Sequence, residues 1–161
     1  VEDLALGHDV DDVPGHGQLL RRQAVHPKSR AAAQRGARIV LGARDGDRLV
    51  ATLSLLLELP PNQLHRAELA KMMTRASHRG RGIAAALVRE AERLAAQHRR
   101  RLLVLDTAAE HGAAGFYEKL GYTRAGEIPD YAFRPHGGLS ATVLMWKRIE
   151  PAVAADPPAL R

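Results

Sequence analysis

Arg79-Gly80-Arg81-Gly82-Ile83-Ala84 (RGRGIA) is the stretch on which the reading of the chain turns. After it, from Gly82 to His98, Ala84, Leu87, Val88, Ala91, Leu94 and Ala95 recur at helical spacing and form one apolar face. Arg89, Glu90, Glu92 and Arg93 fall largely on the opposite face. Before it, Ala67 to Thr74 (AELAKMMT) contains good helix formers, but its place between a turn and a glycine loop predicts a strand. The stretch therefore reads as strand, glycine loop, helix. Two glycines let a ligand approach the backbone closely. The free N–H groups of a first helical turn, with the helix dipole behind them, favour an anion. Arg79 and Arg81 add full positive charge. The arrangement predicts a seat for a pyrophosphate. A Gly80-x-Gly82-x-x-Ala85 dinucleotide fingerprint, with Asp106 as the ribose-binding acid, is the rival reading. Against it, Arg75 to Arg79 separate the strand from the first glycine, and only one βαβ unit is evident where such a domain needs several.

Outward from this centre, Arg38–Arg44 and Arg48–Leu57 read as two strands joined by a tight Asp45-Gly46-Asp47 turn. Pro60-Pro61-Asn62 ends the second. Leu102–Leu105 (LLVL) is a continuous apolar run, as expected of a strand buried on both faces. A helix follows from about Gly112 to Leu120, and Gly121 stops it. Tyr122–Ile128 and Thr142–Ile149 are two further strands, with a loop containing Pro129, Pro135, Gly137 and Gly138 between them. Leu19–Ala37 can form a helix broken near Pro27. Residues 1–15 are an indistinct lead-in, and Val1 in place of Met fits a trimmed N-terminus or an alternative start. The order helix, β, β, β, helix, β, helix, β, β gives an α/β (α+β) fold. Its sheet is mixed and mostly antiparallel, flanked by helices, with one central βαβ crossover.

The chain has 161 residues, which favours one domain. Its 24 basic and 18 acidic residues leave a net charge of +6, and only four of the basic residues are Lys. With aromatics at 4% of the chain, the core must consist mainly of Leu, Val, Ala and Ile. Cys is absent, which excludes disulfides, thiolate catalysis and cysteine-based zinc sites. The eight His residues show no metal-ligand spacing, so no metal is expected. No apolar run has the length of a membrane span, and VEDLALGHDV lacks a signal-peptide pattern, so a cytoplasmic protein is expected. The positive charge raises the possibility of a nucleic-acid-binding module, but the arginines are dispersed and not interleaved with aromatics.

RGRGIA resembles the Arg/Gln-x-x-Gly-x-Gly/Ala signature of the GNAT acetyltransferase superfamily. HRAELAKMMTRASHRGRGIAAALVREAERLA, LLVLDT, GFYEKLGYTRAGEIPDY and ATVLMWK extend the resemblance over about residues 37–149, nearest to the tabtoxin-resistance acetyltransferase subgroup. The resemblance implies a single GNAT-like domain over 1–149, with 1–36 divergent or truncated and 150–161 a disordered tail. It implies acetyl transfer from acetyl-CoA, as co-substrate, to a primary amine of a small amino-acid-like or antibiotic-like molecule. Neither nucleic acid nor membrane is expected as a partner, and a homodimer is compatible. Thr74 and Ala76 stand where many relatives have Val and Pro, and Glu110 stands about where many have an Asn against the pantetheine arm.

That chemistry sets three needs. The amine must lose a proton, since amine pKa values run from about 8 to about 10.4. The thioester oxygen gains charge, and a backbone N–H is its simplest donor. The thiolate, with a pKa of about 8.5, needs an acid. By resemblance Tyr117 is the acid and Glu68 and Asp106 are the candidate bases. Asp106-Thr107 also suits a plain helix cap. Arg79, Gly80, Arg81, Gly82, Ile83 and Ala84 bind the pyrophosphate, while Met72, Met73 and Thr74 border the pantetheine arm. The Met73 N–H is the candidate oxyanion donor. Arg99-Arg100-Arg101 is either a solvated helix end or a contact for the 3′-phosphate of coenzyme A. Asp130, Tyr131 and residues 62–66 are possible substrate contacts. An acyl-CoA sensor with little catalysis is the alternative function.

Overall fold

In the computed structural model, residues 19–21, 34–134 and 136–150 are described. The strands are β1 (Leu19–Arg21), β2 (Arg38–Asp45), β3 (Arg48–Leu56), β4 (Arg66–Thr74), β5 (Leu102–Ala108), β6 (Thr123–Phe133) and β7 (Leu139–Arg148). The helices are α1 (Ile83–Gln97) and α2 (Ala113–Lys119). They form one seven-stranded sheet in the order β1-β2-β3-β4-β5-β7-β6. All neighbours are antiparallel except β4 and β5. One parallel pair, joined through α1, is the single crossover expected and is too few for a dinucleotide-binding fold.

Sequence chemistry accounts for the main elements. Asp45 pairs with Arg48 around a two-residue turn whose first residue, Gly46, has φ +56°. A positive φ at that position matches the twist of the flanking strands. α1 buries Leu87, Val88, Ala91, Leu94 and Ala95 of the expected stripe against β2, β3 and β4, with Ile83 buried and Ala84 only half-buried, and Glu90, expected on the opposite face, is buried as well. Leu41, Leu53, Leu55, Leu69, Leu103, Leu105, Val143 and Met145 complete the centre of the core. After His98, Arg99 adopts φ +57°, its N–H donates to the Ala96 carbonyl, and the Arg100 N–H donates to that of Ala95. These two bonds close the helix as a Schellman motif, with an arginine where glycine is usual.

Two expectations are corrected. Leu19–Arg21 is a strand paired with β2, not the start of a helix, because its backbone completes the free edge of β2. The remainder of that expected helix up to residue 33 lies outside the described residues. The strand expected over Tyr122–Ile128 runs on to Phe133, so Asp130 and Tyr131 lie in β6 and not in a loop. Pro129 is tolerated because β6 is an edge strand and the β6–β7 register shifts between Ile128 and Ala132. The tail expected from Glu150 falls outside the described residues beyond Glu150 itself. No helix among the described residues is long and apolar enough to cross a membrane.

Arg99→Gly should stabilise the protein by about 0.5–1 kcal/mol, since glycine occupies the left-handed region without a steric penalty. Urea denaturation measures this directly, and no gain would mean that the Arg99 side chain compensates the backbone.

Candidate active site

The loop Arg79–Gly82 builds the first part of the site. Gly82 is the N-cap of α1, with φ +76° and ψ −4°, and Gly80 has φ +74°. A Cβ added at either would meet nothing within 4 Å, so backbone conformation and not crowding calls for glycine. No side chain caps the helix, so the amides of its first turn stay available to an anion. A hollow of about 270 Å³ opens there, lined by Thr74, His78, Arg79, Gly80, Gly82, Ile83, Ala84, Ala85 and Phe116. Arg81 is exposed and not among the lining residues. His78 was missed in the sequence. Its Nε2 lies 3.1 Å from Asp45 Oδ2, and its Nδ1 lies 2.8 Å from Ser77 Oγ. The imidazole thus ties the loop to the β2–β3 turn.

A larger cleft of about 940 Å³ lies beside this seat. Its origin is in the sheet. Parallel pairing of β4 with β5 runs from Arg66–Leu102 to Leu69–Leu105 and stops, although both strands continue. Leu69 to Met73 line the opening from one side, and Asp106, Thr107 and Ala108 from the other. Tyr117, Glu110, Tyr131, Arg134 and His136 close it. The seat and the cleft abut at two sequence junctions. Thr74 lines the seat and Met73 the cleft, while Phe116 lines the seat and Tyr117 the cleft.

Tyr117 is 6% exposed. Its ring packs edge-on against Phe116 (centroids 4.9 Å apart) and against Tyr122 (5.7 Å). Burial, and then the charge of Asp106, push its phenol from 10 up to about 12. The hydroxyl therefore stays protonated and able to donate throughout the neutral range. Tyr122 is supported in turn by Lys147, whose Nζ lies 5.4 Å from the ring centroid. That ammonium also donates to Glu92 Oε1 and Oε2, both at 2.9 Å, and to the Leu120 carbonyl at 2.8 Å. The end of α2 is thereby fixed to α1 and β7.

The sequence-derived set divides between the two spaces. Met72, Met73, Asp106 and Tyr117 line the cleft, and Thr74, Arg79, Gly80, Gly82, Ile83 and Ala84 line the seat. Glu68 is in neither lining. It lies in the paired part of β4, 3.6 Å from Arg66. Glu110 is in the cleft and accepts from Arg134 Nη2. Arg99–Arg101 lie at the C-terminal end of α1, about 22 Å from the seat at 1.5 Å per residue. Arg100 turns inward to donate to the Leu57 carbonyl at 3.1 Å. Asp130 and residues 62–66 are outside both linings, whereas Tyr131 is inside the cleft. Among the described residues, no group of three or more His, Asp or Glu side chains could hold a metal ion.

Residues 13–122 match the model of the acetyltransferase (GNAT) family. The chain belongs to that family. The match starts well before residue 37, where the motif resemblance began. The GNAT chain shares its fold with the ribosomal-protein-S18-alanine N-acetyltransferase of Escherichia coli, at 19% identity and a TM-score of 0.64, over 83% of this chain and 81% of that one. A protein described as a phosphinothricin N-acetyltransferase matches at 20% identity and 0.67, over 83% and 99% of the two chains. A Salmonella typhimurium protein described as an acetyltransferase, in a structure with its cofactor acetyl-CoA, matches at 15% and 0.67, over 80% and 76%. As a GNAT enzyme the protein is an acetyl-CoA-dependent acyltransferase. Acetyl-CoA supplies an acetyl group activated as a thioester, and the open left-handed loop beside uncapped helix amides fits its diphosphate.

Gly82→Asp should abolish measurable acetyl-CoA binding by calorimetry, since it sets a negative charge and a strained left-handed residue at the N-cap. Retained affinity would remove the loop from cofactor binding. A second expectation concerns alkali. The folded-state pKa of Tyr117 lies above the unfolded value, so its contribution is complete below pH 10 and is lost as pH rises towards 12. Between those limits the wild type should lose about 2–3 kcal/mol more than Tyr117→Phe in denaturation series, by the linkage between pKa and stability. Parallel curves would show that the phenol is not shifted.

Proposed function

We propose that this GNAT enzyme transfers acetyl from acetyl-CoA directly to the primary amine of a small, amino-acid-like or antibiotic-like acceptor. The observation that carries the reading is the junction of seat and cleft. A ligand anchored by its diphosphate beside Gly80 and Gly82 has a path along Thr74 and Met73 into a space holding Asp106 and Tyr117. Met72, Met73 and Thr74 of β4 lack a partner on the β5 side, so an extended arm can bond to that edge as an added strand would.

Asp106 is the base in this reading. It is the cleft carboxylate without an ion partner among the described residues, since Glu110 is joined to Arg134. It receives the ammonium of the acceptor and draws off its proton. Tyr117 is the acid, a neutral phenol held at the same cleft by Phe116 and Tyr122. The small-acceptor assignment is supported by the resemblance of the β4-to-α1 and α2-to-β6 segments to the tabtoxin-resistance group.

Tyr117→Phe should lower kcat by about 100-fold, the lower end for loss of a general acid, with acetyl-CoA affinity within about twofold of wild type. Steady-state turnover of an amine panel, beside calorimetry with acetyl-CoA, reads both quantities. An unaltered kcat would exclude Tyr117 from proton transfer. Tight cofactor binding with no turnover of any amine would favour a sensor.

A further inference from the structure

Lys71 occupies a backbone conformation foreign to a strand. It lies within β4, yet its φ is +57°. Residues with a Cβ enter that region at a steric cost, and glycine or asparagine is its usual occupant. Its pairing shows how the position arises. Met73 stands opposite Thr52 and Ala70 opposite Ser54, so Lys71 and Met72 together face the single residue Leu53. This is a β-bulge, a device that re-aims side chains. A regular strand presents alternate residues to one side. Here Leu69, Ala70, Lys71, Met72 and Met73 all line the same cleft.

The charges of that cleft are unevenly matched. Arg134 donates to Glu110, and each neutralises the other. Apart from the imidazole of His136, Lys71 and Asp106 remain, and neither side chain has an ion pair or hydrogen bond among the described residues. They also stand close in the topology. The β4–β5 pairing ends at Leu69 and Leu105, Asp106 is the next residue on its strand, and Lys71 is the second beyond on the other. A cation and an anion that line one cavity, neither in an ion pair among the described residues, complement a ligand that carries both signs.

Resting on the acetyltransferase reading above, we propose that Lys71 is a specificity residue that receives a carboxylate of the acceptor while Asp106 receives its amine. The preferred acceptors are then α-amino acids and related amino carboxylates, selected over amines without an acidic group. A single charge-assisted contact of this kind supports a discrimination of about 10- to 100-fold.

The test compares kcat/KM for two matched acceptor pairs, phenylalanine with phenethylamine and methionine with 3-(methylthio)propylamine. Wild type, Lys71→Met and Lys71→Arg are assayed, with acetyl-CoA affinity measured by calorimetry for each. Wild type should favour the amino acid of each pair by about 10-fold or more. Lys71→Met should bring that ratio close to one, chiefly by raising KM for the acids, and Lys71→Arg should restore most of it. Acetyl-CoA affinity should not move. Equal rates within the pairs in wild type, a ratio that survives Lys71→Met, or weakened acetyl-CoA binding in that variant would each overturn the assignment. Turnover of the plain amines alone would sink the role of Lys71 and leave the acetyltransferase reading standing. No turnover of any acceptor, with no acetyl-CoA binding, would bring down both.

Discussion

Parallel pairing between β4 and β5 lasts for only four residue pairs, and the divergence that follows makes room for a ligand. Each strand is held by its outer neighbour. β7 pairs with β5 without a break from Leu102 to Ala108, whereas β3 follows β4 through a bulge at Lys71 and Met72. The two partners therefore lead the strands apart. Unpaired strand amides buried in a core would be costly. Along an open cleft they become an edge to which an extended chain can bond. Leu69 and Leu105, 2% and 1% exposed, seal the floor where pairing ends, so the opening does not drain the core.

The two helices close this divergence at different points. α1 points the amides of its first turn to one end of the gap, and Gly82 at its N-cap brings no side chain to cap them. α2, of seven residues, is too short to be stable by itself. It is held by Tyr122 behind Tyr117 and by Lys147, which bonds the Leu120 carbonyl. An ammonium with two carboxylate oxygens and a carbonyl as partners is well satisfied, which a partly buried charge requires. The phenol that faces the cleft thus sits on a support fixed by charge as well as by packing.

Elements with strong local signals were legible in the sequence. The α1 stripe could be read because 3.6-residue spacing and burial coincide. The glycine loop could be read because two left-handed positions need glycine. The β2–β3 hairpin could be read because Gly46 marks its turn. The remainder depended on partners that a linear reading does not show. Leu19–Arg21 is a strand because β2 offers an edge. β6 passes through Pro129 because an edge strand with a register shift tolerates it. Glu68 looked equivalent to Asp106 as a carboxylate on a central strand. Its position below the end of parallel pairing, beside Arg66, separates the two. His78 carried no signal beyond its adjacency to Arg79, since its contact is with Asp45, 33 residues away.

Local rules are broken unevenly across the described residues. Three non-glycine residues have positive φ: Lys71, Arg99 and Asp130. Arg99 has a plain reason, the closure of α1. Lys71 and Asp130 both sit in register shifts of strands that border the cleft, and Asp130 is followed by Tyr131, which lines it. A sheet made only for stability would relax such positions to glycine or to regular pairing. Bulges on two separate strands, one on each side of a single cavity, instead shape a concave wall from elements that are flat by default. The strain therefore belongs to the two strands that wall the cavity.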